Sequence, residues 1–281
     1  MRYAGVLSLT VVLLLTTAAM SFAQSYNELV TKASADYQSG KLKDALQSYT
    51  AAIALKPEIA GTYYNRGIVD YDLKMLPEAI SDFSHAISLD AGYPDAYFNR
   101  ANSYSLAGDY EKAVADYTWL IDHLTGAQSG AAGSAASQSA TAGAGTAGQP
   151  AAPALSAASI YNNRGVAYFH LKQNDRAAAD FAAAIKANST YAEAYYNRGN
   201  VLYDQKKYPE AVADYDKAIA LNPTYRDAYY NRANAYYQLG TSDKAIADFQ
   251  KVISIDKGFV DAYYNLGLAY IQLSEAMKKA R

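Results

Sequence analysis

The sequence predicts an all-α fold, an α-α superhelix (solenoid) of 34-residue helix-turn-helix repeats, and three observations carry that expectation. The dipeptide Asn-Arg recurs at Asn65-Arg66, Asn99-Arg100, Asn163-Arg164, Asn197-Arg198 and Asn231-Arg232, and Asn265-Leu266 continues the register, in steps of 34, 64, 34, 34 and 34. An alanine followed four residues later by an aromatic repeats in step, at Ala45/Tyr49, Ala79/Phe83, Ala113/Tyr117, Ala177/Phe181, Ala211/Tyr215 and Ala245/Phe249. Each unit holds two segments with apolar residues at helical spacing, for example Ala194, Tyr195, Val201 and Leu202, then Ala211, Val212, Tyr215, Ala218 and Ile219. Short polar turns such as Gln205-Lys206-Lys207, Gly108-Asp109 and Gly240-Thr241 separate the two. Such hairpins stack on one another, because one alone cannot bury its apolar face.

The elements follow in order. Arg2 gives a positive start, Val6 to Leu15 is apolar except for Ser8 and Thr10, and Ser21-Phe22-Ala23 has small residues at the cleavage-determining positions. The run falls short of the ~20 residues that span a bilayer. Residues 1–23 are therefore expected to be a signal peptide cleaved after Ala23, which implies export to the periplasm or cell envelope, or secretion. Three hairpins are expected in residues 24–124. Residues 125–158 are Ala, Gly, Ser, Thr, Gln and Pro apart from Leu155, with almost no bulk to fold, and read as a low-complexity, disordered linker. Gly143, Gly145 and Gly148 match a dinucleotide fingerprint by spacing only, with no strand before them and no acidic residue at the needed distance after them. Three more hairpins follow in residues 159–281, closed by a lone helix from Gly258 that should cap the open end of the stack. Its Lys278, Lys279 and Arg281 suit a helix C-terminus. Trp119, Leu120 and Leu124 before the linker and Ile160, Tyr161 and Phe169 after it are mostly apolar and favour contact, which favours one continuous superhelix with a bulging loop over two arrays that move independently.

Composition excludes several functions. With 25 Lys+Arg against 27 Asp+Glu in 281 residues there is no basic field for a nucleic-acid backbone. Loss of Arg2 with the leader leaves 24 against 27, a net charge of -3. There is no cysteine, so disulfides and thiolate chemistry are out. His85, His123 and His170 have no partner at metal-ligand spacing, and no nucleophile, zinc or phosphate-loop motif occurs. No catalytic residue, cofactor or metal is expected, and no membrane span after cleavage; the chain reads as a non-enzyme. Asn188-Ser189-Thr190 would be a glycosylation acceptor in a eukaryotic source.

The repeat resembles the tetratricopeptide pattern of an aromatic, Leu-Gly, Tyr, then Ala and an aromatic, then Pro. The last unit has Tyr263, Leu266-Gly267 and Tyr270, and the fifth has Tyr195, Gly199, Ala211, Tyr215 and Pro223. The resemblance covers nearly everything from Asn27 onward except the linker, and implies six repeats plus a C-terminal capping helix. Close packing gives the markers their reason. Gly67, Gly165, Gly199 and Gly267, with Ala101 and Ala233 in the same place, are small where one helix approaches its neighbour, as are the repeated alanines of the second helix. Pro57 and Pro223 close a repeat; Ala91, Ser189 and Lys257 stand there in other units and should define the turn less well.

One departure from the family is instructive. Five units carry Arg after the Asn, where the family more often has Leu, and each has Asp sixteen residues later: Arg66/Asp82, Arg100/Asp116, Arg164/Asp180, Arg198/Asp214 and Arg232/Asp248. The first unit has Lys32 and Ser48, and the last has Leu266 with no second helix. Residues that appear and vanish together are expected to pair across each hairpin as structural ion pairs. Such pairing would quench the five arginines as an anion site.

The resemblance also implies a concave groove lined by the first helix of each unit. Its expected contacts are Tyr64, Phe98, Asn102, Tyr196, Asn200, Tyr203, Tyr230, Asn234, Tyr237 and Tyr264, with Tyr71, Asn162 and Phe169, and an acidic edge of Asp95, Glu193, Asp227 and Asp261. Aromatic and Asn side chains together suit extended peptides. Some relatives clamp a peptide carboxylate with Lys and Asn; no Lys or Arg falls at those positions here. The expected function is therefore a scaffold that binds a partner protein or peptide in the periplasm or cell envelope. The alternatives are a self-associating structural protein and a soluble carrier of a small ligand.

Overall fold

The computed structural model describes residues 25–129 and 155–279, and the expected signal peptide and residues 130–154 of the expected linker lie outside them. The chain divides into two compact units between Leu155 and Ser156. The first holds α1 (25–38), α2 (Leu42–Leu55), α3 (Ala60–Asp72), α4 (Leu76–Leu89), α5 (Pro94–Ala107) and α6 (Tyr110–Ser129). The second holds α7 (Ala157–His170), α8 (Asn174–Ala187), α9 (Ala192–Asp204), α10 (Tyr208–Leu221), α11 (Arg226–Gln238), α12 (Ser242–Ile255) and α13 (Val260–Lys279). There is no strand among the described residues. Within each unit consecutive helices pack as hairpins, and odd-numbered helices also touch the next odd one, as in a tetratricopeptide solenoid. Both edges of the expected linker are partly helical. The α6 helix runs five residues past Leu124, and α7 begins early because Ser156 and Ser159 form a reciprocal capping box, each side chain reaching the other's backbone N–H.

Two kinds of turn repeat, each with its own chemistry. Between an odd helix and the following even one, a single residue takes the left-handed conformation: Gly40, Gly108 and Gly240 in three turns, Lys74, Lys172 and Lys206 in the others. The next amide then reaches back five residues, as Lys207 N–H does to the Leu202 carbonyl at 2.9 Å, which closes the helix end. A Cβ at φ 60° is strained, so Lys206→Gly should raise stability by up to about 1 kcal/mol, read as a higher urea midpoint. Between an even helix and the next odd one, the carboxylate or amide oxygen of Asp90, Asn188, Asn222 and Asp256 accepts the backbone N–H two residues on, at 2.9–3.1 Å. These Asx turns correct the expectation that units with Ala91, Ser189 or Lys257 in place of proline are poorly defined.

The aromatic of each even helix fills the hairpin. Tyr49, Phe83, Tyr117, Phe181, Tyr215 and Phe249 are all essentially inaccessible, as are the alanines four residues before them. A Cβ built on Gly67, Gly165 or Gly199 would lie 2.7–2.8 Å from the ring of Phe83, Phe181 or Tyr215, so glycine there sets the ring's depth. Gly267 is different: a Cβ built there would meet nothing within 4 Å, since no described aromatic packs against that side of α13. The capping helix α13 packs on α12 and α11, with Tyr263, Tyr270 and Ile271 on its exposed side.

Candidate functional site

The residues expected to line a groove sit on the odd-numbered helices, and the structure separates them into two groups. In the second unit Tyr196, Asn200 and Tyr203 on α9 and Tyr230, Asn234 and Tyr237 on α11 form matching i, i+4, i+7 stripes, all partly exposed. Tyr264 on α13 is 69% exposed. In the first unit Asn102 and Tyr71 are partly exposed, but Tyr64 and Phe98 are buried. Tyr64 packs on Phe83 and Tyr93, with centroids at 5.8 and 5.0 Å, and Phe98 stands edge-on to Tyr117. Both are corrected from groove contacts to packing residues. Asn162 is likewise buried.

A hydrogen-bond ladder joins consecutive odd helices in both units. The asparagine of the Asn-Arg marker donates its Nδ2–H backwards to the preceding repeat: Asn99 to the Tyr64 hydroxyl at 3.1 Å, Asn231 to the Tyr196 hydroxyl at 3.1 Å, and Asn265 to the Tyr230 hydroxyl at 2.9 Å. Where Asn162 replaces the tyrosine, its carbonyl accepts from Asn197 at 3.0 Å. Asn231 and Asn265 also donate to Asn200 and Asn234, at 2.9 and 3.2 Å. Tyr215 and Tyr117 complete the set from behind, donating to Asn200 at 2.9 Å and to Asn102 at 2.6 Å. Burial raises the phenol pKa values of Tyr64, Tyr196 and Tyr203, which keeps these hydroxyls protonated. Tyr196 and Tyr230 thus stay partly exposed while their hydroxyls hold the repeats in register. In the sequence the marker asparagines count the repeats, and the tyrosine 35 residues before three of them, Asn99, Asn231 and Asn265, is the available signal of the ladder.

The acidic edge is partly neutralised. Arg226 pairs with Asp227 and with Asp256, both at 2.8 Å, and burial pushes up the Asp95 carboxyl. Glu193 and Asp261 remain exposed.

All five Arg/Asp pairs close across their hairpins, each in a two-pronged fork with distances of 2.7–2.8 Å: Arg66 with Asp82, Arg100 with Asp116, Arg164 with Asp180, Arg198 with Asp214 and Arg232 with Asp248. In the first hairpin Lys32 donates to Ser48 at 3.2 Å, so the exchanged residues keep the contact in weaker form. Hydrogen bonds to Asp82 and Asp214 hold the Arg66 and Arg198 guanidinium pKa values above their ordinary range, against the cost of burial. A ring three residues earlier lies over each guanidinium: Tyr63, Tyr97, Tyr161, Tyr195 and Tyr229, at 5.4–5.8 Å. The arginines are spent on structure and do not face the groove stripe.

Asp70 stands out beside the first of these pairs. It is 3% exposed, and its Oδ1 has no hydrogen-bond partner. Burial, with repulsion from Asp82 and Glu78 outweighing attraction by Arg66, pushes its carboxyl up to about 6 from 3.8. The folded state therefore binds this proton more tightly than the unfolded chain, so the group costs nothing below pH 4 and destabilises progressively as pH rises to 6. Asp70→Asn should stabilise the protein by about 1–3 kcal/mol at pH 7 and leave it unchanged at pH 3.5, a difference readable in urea midpoints at the two pH values.

Comparison with known proteins agrees with this geometry. A family profile described as "TPR repeat" matches residues 33–74, 199–240 and 233–274, and two described as "Tetratricopeptide repeat" match residues 83–115 and 158–191. No curated protein matches the sequence. Among solved structures, a tetratricopeptide repeat protein from Parabacteroides merdae is 22% identical with a TM-score of 0.68, over 90% of this chain and 88% of that one. The C-terminal part of a TPR repeat-containing protein from Cytophaga hutchinsonii is 16% identical at 0.64, over 89% and 88%. YrrB, described as a TPR protein with an unusual peptide-binding site, is 20% identical at 0.54, over 77% and 96%. At these identities the likeness is one of fold.

Proposed function

The chain belongs to the tetratricopeptide-repeat family, and on that premise we propose that it is a non-catalytic scaffold that binds an extended segment of a partner protein along its odd-helix face. The observation that carries the reading is the repeated aromatic/Asn stripe of α9 and α11, continued by the exposed Tyr264 on α13. Flat rings with amide side chains between them give contact area at low entropic cost and adaptable hydrogen bonding. The similarly folded YrrB is described as having a peptide-binding site, which supports a peptide segment as the class of ligand. The partly neutralised edge favours neutral or mildly basic segments.

The test must spare the ladder, so Tyr196 and Tyr230 are left in place. A Tyr203, Tyr237 and Tyr264 to Ser variant, checked for unchanged helicity by circular dichroism, is compared with wild type in crosslinking and capture from the native cell envelope. Loss of a specific captured protein by tenfold or more in the variant is the expected result; identical capture by both would rule out the stripe as the binding face. A second reading, self-association, is favoured by the uncovered face of α13, where Tyr263, Tyr270 and Ile271 are exposed. Concentration-dependent sedimentation of the purified chain without a partner would select it.

We further propose that the protein acts outside the cytoplasm, on the strength of the leader pattern in residues 1–23. N-terminal sequencing of the protein recovered from its native host should then begin at Gln24, and an intact Met1 would refute export by this route. No helix among the described residues is long and apolar enough to cross a membrane.

A further inference from the structure

The residue four places after the arginine of each marker is Tyr104, Tyr168 or Tyr236 in three repeats, and its ring lies 5.6–5.9 Å from the guanidinium of Arg100, Arg164 or Arg232. In the repeat of α3 and α4 that residue is Asp70. Beside Asp70 lies an open cavity of about 470 Å³ lined by residues of α2, α3 and α4 and of the turn before α4. Leu46, Met75 and Pro77 form an apolar wall; Arg66, Asp70, Glu78 and Asp82 provide the polar one. Arg66 is already committed to Asp82 through two hydrogen bonds. That leaves the carboxylates of Asp70 and Glu78 without a neutralising partner in the cavity, and the Asp70 Oδ1 is buried with no donor facing it.

We propose that this cavity is a second binding site, distinct from the groove, for a primary alkylammonium such as the side chain of a partner's lysine or a free diamine. An unbranched aliphatic stem would lie along Leu46, Met75 and Pro77, and the ammonium would donate to the Asp70 Oδ1 and lie close to Glu78. The ligand's three N–H donors then satisfy an orphaned acceptor, and its charge offsets two carboxylates. A neutral phenol could fill the same space but would leave both carboxylates uncompensated, which is why the charged ligand is favoured over an inserted tyrosine.

The test uses the full chain, uniformly 15N-labelled, at pH 7. Amide shifts are followed on titration with N-acetyl-lysine N′-methylamide, with cadaverine, and with the Nε-acetylated lysine amide and tyrosine amide as neutral probes. Shifts confined to residues 46–50 and 66–82 with either amine, and none with the neutral probes, are expected. Tighter binding of the lysine amide than of cadaverine assigns a protein side chain as the source, and the reverse assigns a free diamine. Two variants guard the interpretation. Asp70→Asn keeps the shape and removes the charge, and should weaken amine binding tenfold or more; Asp70→Tyr installs the residue that three other repeats already accommodate, fills the cavity and should abolish binding. Absence of amine shifts in the wild type, equal shifts in Asp70→Tyr, or preference for tyrosine amide would each overturn the proposal.

Discussion

Tyr215→Ala should destabilise the second unit by about 3–5 kcal/mol, whereas Tyr215→Phe should cost about 1 kcal/mol or less. The ring is wholly buried between α9 and α10, so close to Gly199 that a Cβ on the glycine would lie 2.7 Å from it. Its removal leaves a void that the backbone cannot close, because Ala211 and Ala218 on the same helix are already the smallest side chains that keep the packing. The hydroxyl contributes one hydrogen bond, to Asn200 at 2.9 Å, and Asn200 would still accept from Asn231 at 2.9 Å. Phe83, Phe181 and Phe249 occupy the same position in other repeats, which shows that the site tolerates a ring without the hydroxyl. Urea unfolding followed by circular dichroism separates the two variants. A loss below about 1.5 kcal/mol for the alanine variant would mean that the hairpin can collapse around the gap.

The period made the fold legible without a structure, because it is stated redundantly. The Asn-Arg dipeptide, the Ala/aromatic pair and the helical spacing are independent consequences of one hairpin repeated, and each predicts the same boundaries. The Arg/Asp pairing was legible for a related reason: within one chain, the first and last units acted as internal controls in which the two residues were exchanged or lost. The groove was only half legible. A residue on an odd helix can stay exposed or pack against the neighbouring helices, and the periodicity of the sequence is the same in both cases. Tyr64 and Tyr196 occupy equivalent places in the repeat, yet one is buried and the other partly open, since their surroundings differ by repeat. Gly267 holds the place in the pattern that Gly67, Gly165 and Gly199 hold, yet a Cβ built there would meet nothing within 4 Å, so the pattern alone misassigned it as a close-packing glycine. Asp70 was visible as an acid among tyrosines, but only the geometry shows that its neighbours do not fill the vacated space.

The second large effect concerns the repeated ion pair, and Arg198 with Asp214 isolates it best. The corresponding arginines Arg66, Arg100 and Arg232 also reach the preceding even helix, at Thr50, Ser84 and Asp216, whereas Ala182 stands in that position for Arg198. The side chain of Asp214 is 8% exposed and that of Arg198 29%. An exposed pair would couple by about 0–1 kcal/mol, and breaking a buried one costs about 3–5. With one partner buried and the other half in water, Asp214→Ala is expected to cost about 2–3 kcal/mol, since it strands a guanidinium that can recover only part of its hydration. Arg198→Leu should cost less than Arg198→Ala, because leucine is the residue that the last repeat carries there, at Leu266, and it restores apolar contact with Tyr195. The double-mutant cycle should give a coupling of about 1.5–2.5 kcal/mol that falls only slightly between 0.05 and 0.5 M salt, as a fork with a buried carboxylate is weakly screened. Coupling near zero would mean that the pair is an ornament of the repeat; coupling that vanishes with salt would mean that water reaches Asp214 far more freely than its burial indicates. The double variant Arg198→Leu with Asp214→Ala bears on why the pair recurs. If it is nearly as stable as wild type, the five pairs set the register of each hairpin without adding net stability, and the asparagine ladder and buried aromatics hold the stack.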